Sequence, residues 1–139
     1  MILRLLLAAD YANISQEGKL NVMGIFNEIS AQNFPCRHSS MHLVITLVPE
    51  LGEYGISRSL FVRLFTPDGN EVMNISGQID VPQRGQGRPP EVNVILELKD
   101  LVFPEPGPYQ FVVMVDKDQK GELPIDVKKK PVSVETQGK

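Results

Sequence analysis

The chain has 139 residues, and 14 Lys and Arg stand against 17 Asp and Glu for a formal net charge of −3. The 42% hydrophobic and 22% charged fractions are typical of one globular domain, which at this length folds without a metal or a disulfide. The acidic balance disfavours nucleic acid as a partner. The single cysteine, Cys36, excludes an intrachain disulfide and favours a reducing, cytoplasmic location.

The first nine residues, MILRLLLAA, are apolar on both faces of an extended chain. No basic segment precedes them and no small-residue cleavage site follows, so a buried first strand is favoured over a signal peptide. Nine residues are also too few to cross a bilayer as a helix. We therefore expect no membrane partner.

Alternating apolar residues predict further strands in chain order over 19–29, 41–47, 57–66, 72–80 and 91–98. Gly24 in the middle of the second strand predicts a bulge or a close approach of another group. The sequence Pro67-Asp68-Gly69-Asn70 is typical of a hairpin turn. Residues 81–90, VPQRGQGRPP, are expected to form a long mobile loop.

A last predicted hairpin spans residues 102–127. Its first strand places Tyr109, Phe111, Val113 and Val115 on one apolar face, and residues 116–121 are predicted to form the turn. Tyr109 heads this strand after a Pro-Gly-Pro break, so its ring should enter the core. A buried tyrosine hydroxyl needs a partner, and a nearby backbone carbonyl is expected to provide it. Tyr109 is therefore interpreted as a structural residue.

About eight short strands without a long amphipathic helix predict an all-β fold. We expect an antiparallel two-sheet sandwich, immunoglobulin-like in shape, with a closed barrel as the alternative. Residues 1–127 form the predicted domain, and residues 128–139 a flexible tail with a lysine run.

The residues Cys36, His38 and His42 are weak metal candidates, because all three side chains are of the kinds that bind zinc. Their spacing matches no common zinc finger and no second Cys and His pair follows, so a chance grouping is favoured. The same cysteine is a weaker candidate nucleophile, because nothing in the sequence orients a histidine as its base. No metal, cofactor or catalytic residue is therefore expected.

Two loop segments have charges of the type that bind ions. The sequence from Asp116 begins like a calcium loop, but Lys120 stands where an oxygen ligand is required, which favours a plain turn. Arg84 and Arg88 are candidates for binding a phosphate or carboxylate. A solubilising role for these two arginines is favoured on loop composition.

The sequence resembles an uncharacterised bacterial family of single-domain β proteins. The similar elements are Ala-Asp-Tyr-Ala at 9–12, Gly-Lys-Leu-Asn at 18–21 and Pro-Gly-Pro-Tyr at 106–109. The resemblance implies a β fold. It implies no activity and no catalytic residues.

The most favoured function is that of a non-enzymatic binding module, whose partner is another protein or a second copy bound through an exposed strand edge. A small-ligand or carbohydrate-binding module is the first alternative, although the chain has no Trp and only 3 Tyr. An unrecognised hydrolase is disfavoured because no nucleophile and base are assembled in the sequence.

Overall fold

The computed structural model describes residues 1–87 and 90–131, and these residues form nine strands in two sheets. Sheet A has the order β2-β1-β4-β7, and sheet B has the order β3-β9-β8-β5-β6. The predicted all-β fold is confirmed, with one strand more than the eight expected. Across the described residues, no helix has the length and apolar character needed to cross a membrane.

The strand bounds are Ile2–Ile14 (β1), Leu20–Phe26 (β2), Glu28–Ala31 (β3), Cys36–Val48 (β4), Ser57–Phe65 (β5), Glu71–Asp80 (β6), Val92–Phe103 (β7), Gly107–Val115 (β8) and Asp118–Lys129 (β9). Neighbouring strands are antiparallel except β3 and β9, which are parallel.

The core lies between the two sheets and follows the predicted alternation. In β4, Leu43 and Ile45 point inward and are fully buried, and in β8 Phe111 and Val113 meet them from sheet B. Gly121 of β9 contacts sheet A so closely that a Cβ there would collide with the side chain of Leu3. The two inner faces therefore pack against each other without free space at this point.

The predicted strand over residues 19–29 is in fact two strands in different sheets. The chain leaves sheet A after β2 and enters sheet B as β3, and at the crossing the Asp126 N–H donates to the Asn27 carbonyl at 2.8 Å. The apolar positions that point inward are even-numbered in β2 (Leu20, Val22 and Phe26) and odd-numbered in β3 (Ile29). This shift of phase indicates a break in the strand but not a change of sheet. The crossing ties the N-terminal part of the chain to β9.

The C-terminal hairpin differs from the prediction at both ends. Val115 pairs with Asp118, so the turn consists of Asp116 and Lys117 rather than residues 116–121. Asp116 takes the left-handed conformation, with φ of 54°. Strand β9 continues to Lys129, so the predicted flexible tail begins too early, and its residues 132–139 lie outside the described part of the chain.

The end of the β1–β2 hairpin lies over the outer face of sheet A. The pairing of β1 with β4 stops at Ala9, although β1 continues to Ile14. Beyond that point Gly18 and Leu20 line the same cavity as Leu5 at the opposite end of β1. The outward-pointing side chains of β4 are accordingly buried, and these are His42, Val44 and Thr46. At β4, the face of sheet A opposite the core is therefore covered by other parts of the chain.

Tyr109 closes the connection between β7 and β8. Its ring is 1% exposed and meets Phe103 edge-on, with 5.0 Å between ring centroids. The hydroxyl donates to the Glu105 carbonyl at 2.7 Å and accepts from the Glu105 N–H at 3.1 Å. Burial raises the pKa of Tyr109 above its ordinary value of 10.0, so the hydroxyl remains a donor at neutral pH. This is the type of partner that the sequence predicts.

Candidate functional site

The candidate metal ligands Cys36, His38 and His42 all lie on β4 but are not gathered together. Cys36 and His38 pair with core residues of β7, whereas His42 points to the outer face, where its Nδ1 lies 3.1 Å from the Asp10 carbonyl oxygen. Six residues of extended strand span about 20 Å. The described residues contain no group of three or more such side chains placed to hold a metal ion.

Cys36 is also poorly suited to act as a nucleophile. Burial raises the pKa of its thiol above the ordinary 9.0, although hydrogen bonds from the backbone of Cys36 and Phe103 act in the opposite direction. The thiolate is the reactive form, and raising the pKa makes it rarer at neutral pH. His38 contacts the ring of Phe26, with 5.8 Å between ring centroids. The geometry thus offers no activated cysteine and base.

Of the two candidate anion-binding arginines, the structure describes Arg84 alone. The guanidinium of Arg84 lies 5.9 Å from the centroid of the Tyr54 ring, in the arrangement of a cation–π contact. Arg88 lies outside the described residues. An anion site formed by both arginines therefore stays a sequence-based hypothesis.

The calcium-like segment is engaged with the protein's own groups. The Asp116 carboxylate accepts a hydrogen bond from the Ser59 N–H at 3.1 Å and another from the Arg58 guanidinium at 3.1 Å. Asp116 thus fixes the β8–β9 turn to β5, and both of its carboxylate oxygens are occupied. Its role in this arrangement is structural.

A polar cavity of about 370 Å³ lies beside this turn, lined by charged residues of both signs. Glu53 lies at its centre, because its carboxylate accepts a hydrogen bond from the Met1 ammonium at 2.6 Å and lies 3.3 Å from the Arg58 guanidinium. Glu50 is a second partner of the Met1 ammonium, at 3.2 Å. These charges are paired with one another, whereas Asp118 and Lys120 line the same cavity outside these pairs.

The ionisation of Glu53 reflects this network. Burial alone raises the pKa of its carboxyl group. The hydrogen bonds from the Met1 ammonium and the Glu50 N–H, together with the positive charges of Met1 and Arg58, outweigh that effect and hold the pKa below its ordinary value of 4.5. Glu53 is therefore ionised at neutral pH and contributes to stability there.

An exposed apolar surface lies on the β1–β2 hairpin. Tyr11, Met23 and Ile25 share one face of the two strands, because Tyr11 pairs with Met23 and Ile25 follows two positions later. Their exposed fractions are 47%, 66% and 64%. The Tyr11 ring packs edge-on against His42, with 5.2 Å between centroids, so its position is fixed. We refer to these three residues as the hairpin patch.

The hairpin patch borders an edge strand that lacks the usual protection against pairing. Of the four edge strands in the described residues, β2 alone has no charged residue in its span, whereas β3, β6 and β7 each contain one or more. Charged side chains and very short strands are common means of preventing edge-to-edge association. Strand β2, with seven residues and two exposed apolar side chains, has neither.

Gly24 interrupts the regular form of β2. Its φ of +72° is the left-handed conformation, and a Cβ at this position would collide with the Asp10 carboxylate. This is the close approach that the sequence predicts for a glycine in mid-strand. Its consequence is a local twist of β2 between the two exposed side chains Met23 and Ile25.

The sequence reasoning did not single out the hairpin patch. In the sequence, Met23 and Ile25 resemble one side of an ordinary amphipathic strand, and the alternation assigns Leu20, Val22 and Phe26 to the core face. One sequence feature does indicate this exposed surface: the strand has apolar residues on both faces and also contains a glycine. Such a strand is either central in a sheet or exposed at an edge, and only the sheet order distinguishes the two.

The described residues define an all-β protein of two sheets with a shared core. The chain belongs to a family of unknown function, DUF6941, whose profile matches residues 4–128. The match includes all nine strands except the first two residues of β1 and the last residue of β9. Comparison with curated proteins gives no match.

Proposed function

We propose that this protein is a non-enzymatic interaction module that binds a protein partner through the β2 edge and the hairpin patch. The observation that supports it best is the exposure of Met23 and Ile25 on an edge strand that has no charged residue. An added strand pairs with the unpaired backbone groups of such an edge, and exposed side chains beside it supply specificity. The lone thiol of Cys36 supports a reducing, cytoplasmic location for the protein. The proposed bacterial origin rests on the sequence resemblance alone.

The proposed module is an immunoglobulin-like sandwich with an added hairpin. In this interpretation β1, β4 and β7 correspond to three adjacent strands of one immunoglobulin sheet, and β9, β8, β5 and β6 to the other sheet. Tyr109 lies near the start of β8, and its hydroxyl donates a hydrogen bond to the Glu105 carbonyl four residues upstream. This bond supports the comparison because it has the form of a tyrosine corner. Strands β2 and β3 are then insertions between the first two strands of that arrangement.

The insertion supports the choice of site. Binding residues are commonly placed on segments added to a rigid sandwich, because the sheets hold them without needing their side chains for the core. Neither Met23 nor Ile25 belongs to the core cluster between the sheets. Their side chains therefore have no role in the main core that would account for two large apolar groups.

Photo-crosslinking in the native host cell tests the proposal. Benzoylphenylalanine is placed at Met23, and, as a matched control, at Asn74, which is exposed on the opposite edge strand β6. We expect a discrete crosslinked species of defined mass from position 23 and none from position 74. Mass spectrometry of the product then identifies the partner and the crosslinked residue.

Two results would contradict the proposal. The first is that a probe at position 23 gives no more crosslinked product than a probe at position 74. The second is that a probe at Tyr11 gives the same crosslinks in a chain with Met23→Lys and Ile25→Lys as in a chain without these two substitutions. In either case the β2 edge is not a binding surface.

A further inference from the structure

We propose that the partner at the β2 edge is a second copy of this chain, bound by antiparallel pairing of β2 with its counterpart across a two-fold axis. The β1–β2 hairpins of the two copies would then join into one four-stranded sheet. This inference rests on the proposed function, because it assigns the occupant of the same edge.

The sequence of β2 is suited to pairing with itself when the axis passes beside Met23. Met23 then faces the partner's Met23, and Leu20 faces the partner's Phe26. Val22 faces the partner's Gly24, where no side chain obstructs it. No like charges meet anywhere along the seven residues.

The residues flanking β2 add opposite charges to this arrangement. Lys19 directly precedes β2 and Glu28 follows it by two residues, so antiparallel pairing brings the Lys19 end of one copy to the Glu28 end of the other. The side chains of Lys19 and Glu28 are both exposed. Within one copy, Lys19 pairs with Glu17 and Glu28 pairs with Lys128, and these two ion pairs are exposed as well. The symmetric arrangement thus places a positive group next to a negative one at each end.

The edge strand β6 provides the contrast. Self-pairing of β6 about Ile75 would place Glu71 opposite the partner's Ile79 and beside its Asp80, so two acidic side chains would lie next to each other at both ends. Strand β7 has three charged residues in its span, Glu97, Lys99 and Asp100, whereas β2 has none. Among the edges that the structure describes, β2 is therefore the one best suited to self-association.

The size of the contact sets the expected strength. A stable interface buries on the order of 1,000 Å² or more in total, and a pair of seven-residue strands alone gives less. The exposed Met23, Ile25 and Tyr11 side chains of both copies add apolar area next to the new strand pair. We expect a dimer that dissociates in the micromolar range.

Disulfide trapping tests the register directly, in chains that also contain Cys36→Ser. Met23→Cys places two sulfurs across the axis, where directly opposite Cα atoms lie about 4.5–5.5 Å apart, within the range of roughly 4.4–6.8 Å that a disulfide spans. We expect a covalent dimer under mild oxidation. Asn21→Cys alone should give none, because the two copies of position 21 would lie about 13 Å apart, whereas Asn21→Cys combined with Ile25→Cys should link.

Light scattering after gel filtration tests the same dimer without new thiols. The unmodified chain should approach twice the monomer mass as its concentration rises. Met23→Glu should raise the concentration for half-dimerisation about tenfold or more, because two carboxylates would face each other. Its melting temperature in dilute solution, where both chains are monomeric, should be unchanged and serves as the control for folding.

The outcomes separate this inference from the proposed function. A monomer at all concentrations, or a dimer that traps through position 21 alone and not through position 23, would overturn pairing of β2 about this axis. If position 23 nevertheless captures a different protein in cells, the interaction surface stands and its partner is not a second copy. If position 23 captures nothing, both proposals fail.

Discussion

Replacing Tyr109 by Phe isolates the contribution of one buried hydroxyl group. The ring, its contact with Phe103 and its volume remain, and the two hydrogen bonds to the Glu105 backbone are lost. Each bond contributes about 1 kcal/mol net, so Tyr109→Phe should lower the free energy of unfolding by about 2 kcal/mol. Tyr109→Ala also leaves a cavity and should cost about 3–5 kcal/mol.

Urea unfolding at 25 °C and neutral pH measures these differences. With a slope of about 1.5 kcal/mol per M, a loss of about 2 kcal/mol lowers the midpoint by roughly 1.3 M. Tyr11→Phe is the matched control, since its ring is 47% exposed and its hydroxyl has only one exposed contact, at 3.4 Å, with Asn13. Equal midpoints for Tyr109→Phe and Tyr11→Phe would refute the assigned role of the Tyr109 hydroxyl.

Three further predictions concern glycine positions and acid stability. Gly24→Ala should cost about 1–2 kcal/mol because of its φ of +72°, whereas Gly77→Ala, with open space around it, should be close to neutral in the same melts. Gly121→Ala should cost about 1–3 kcal/mol, because its methyl group would displace Leu3 in the core, and a smaller Leu3 side chain in the double variant should recover part of the loss. The lowered pKa of Glu53 gives stability that is present above the ordinary 4.5 and lost as pH falls through the lowered value. Glu53→Gln should therefore be less stable at pH 7 and lose less stability on acidification than the unmodified chain; parallel acid titrations of the two would contradict this.

The local period of apolar residues was sufficient to predict most strands. Leu43 and Ile45 in β4 and Phe111 in β8 are buried on the face that alternation assigns to them, because a strand has only two faces and one must avoid water. The same period was insufficient at residue 27, where the chain changes sheet. Strand order and crossing between sheets depend on contacts between distant segments, which a local pattern does not contain.

The candidate site shows the same limit. Cys36, His38 and His42 are near each other in sequence but lie along an extended strand, with Cys36 packed against the core and His42 beside the Asp10 carbonyl. Met23 and Ile25 carry no chemistry that a motif would detect, and their interest arises from the position of β2 at the edge of sheet A. Gly24 was the one residue near this surface whose unusual conformation the sequence did indicate.

The exposed edge of β2 is the central claim, and amide hydrogen exchange of the whole chain measures it most directly. The chain is compared alone in dilute solution and with the partner captured at position 23, whether another protein or a second copy at high concentration. The account predicts slower exchange in a peptide covering residues 20–26 and unchanged exchange in a peptide covering residues 71–80 of β6. Protection confined to β6, or no protection in either strand, would contradict it.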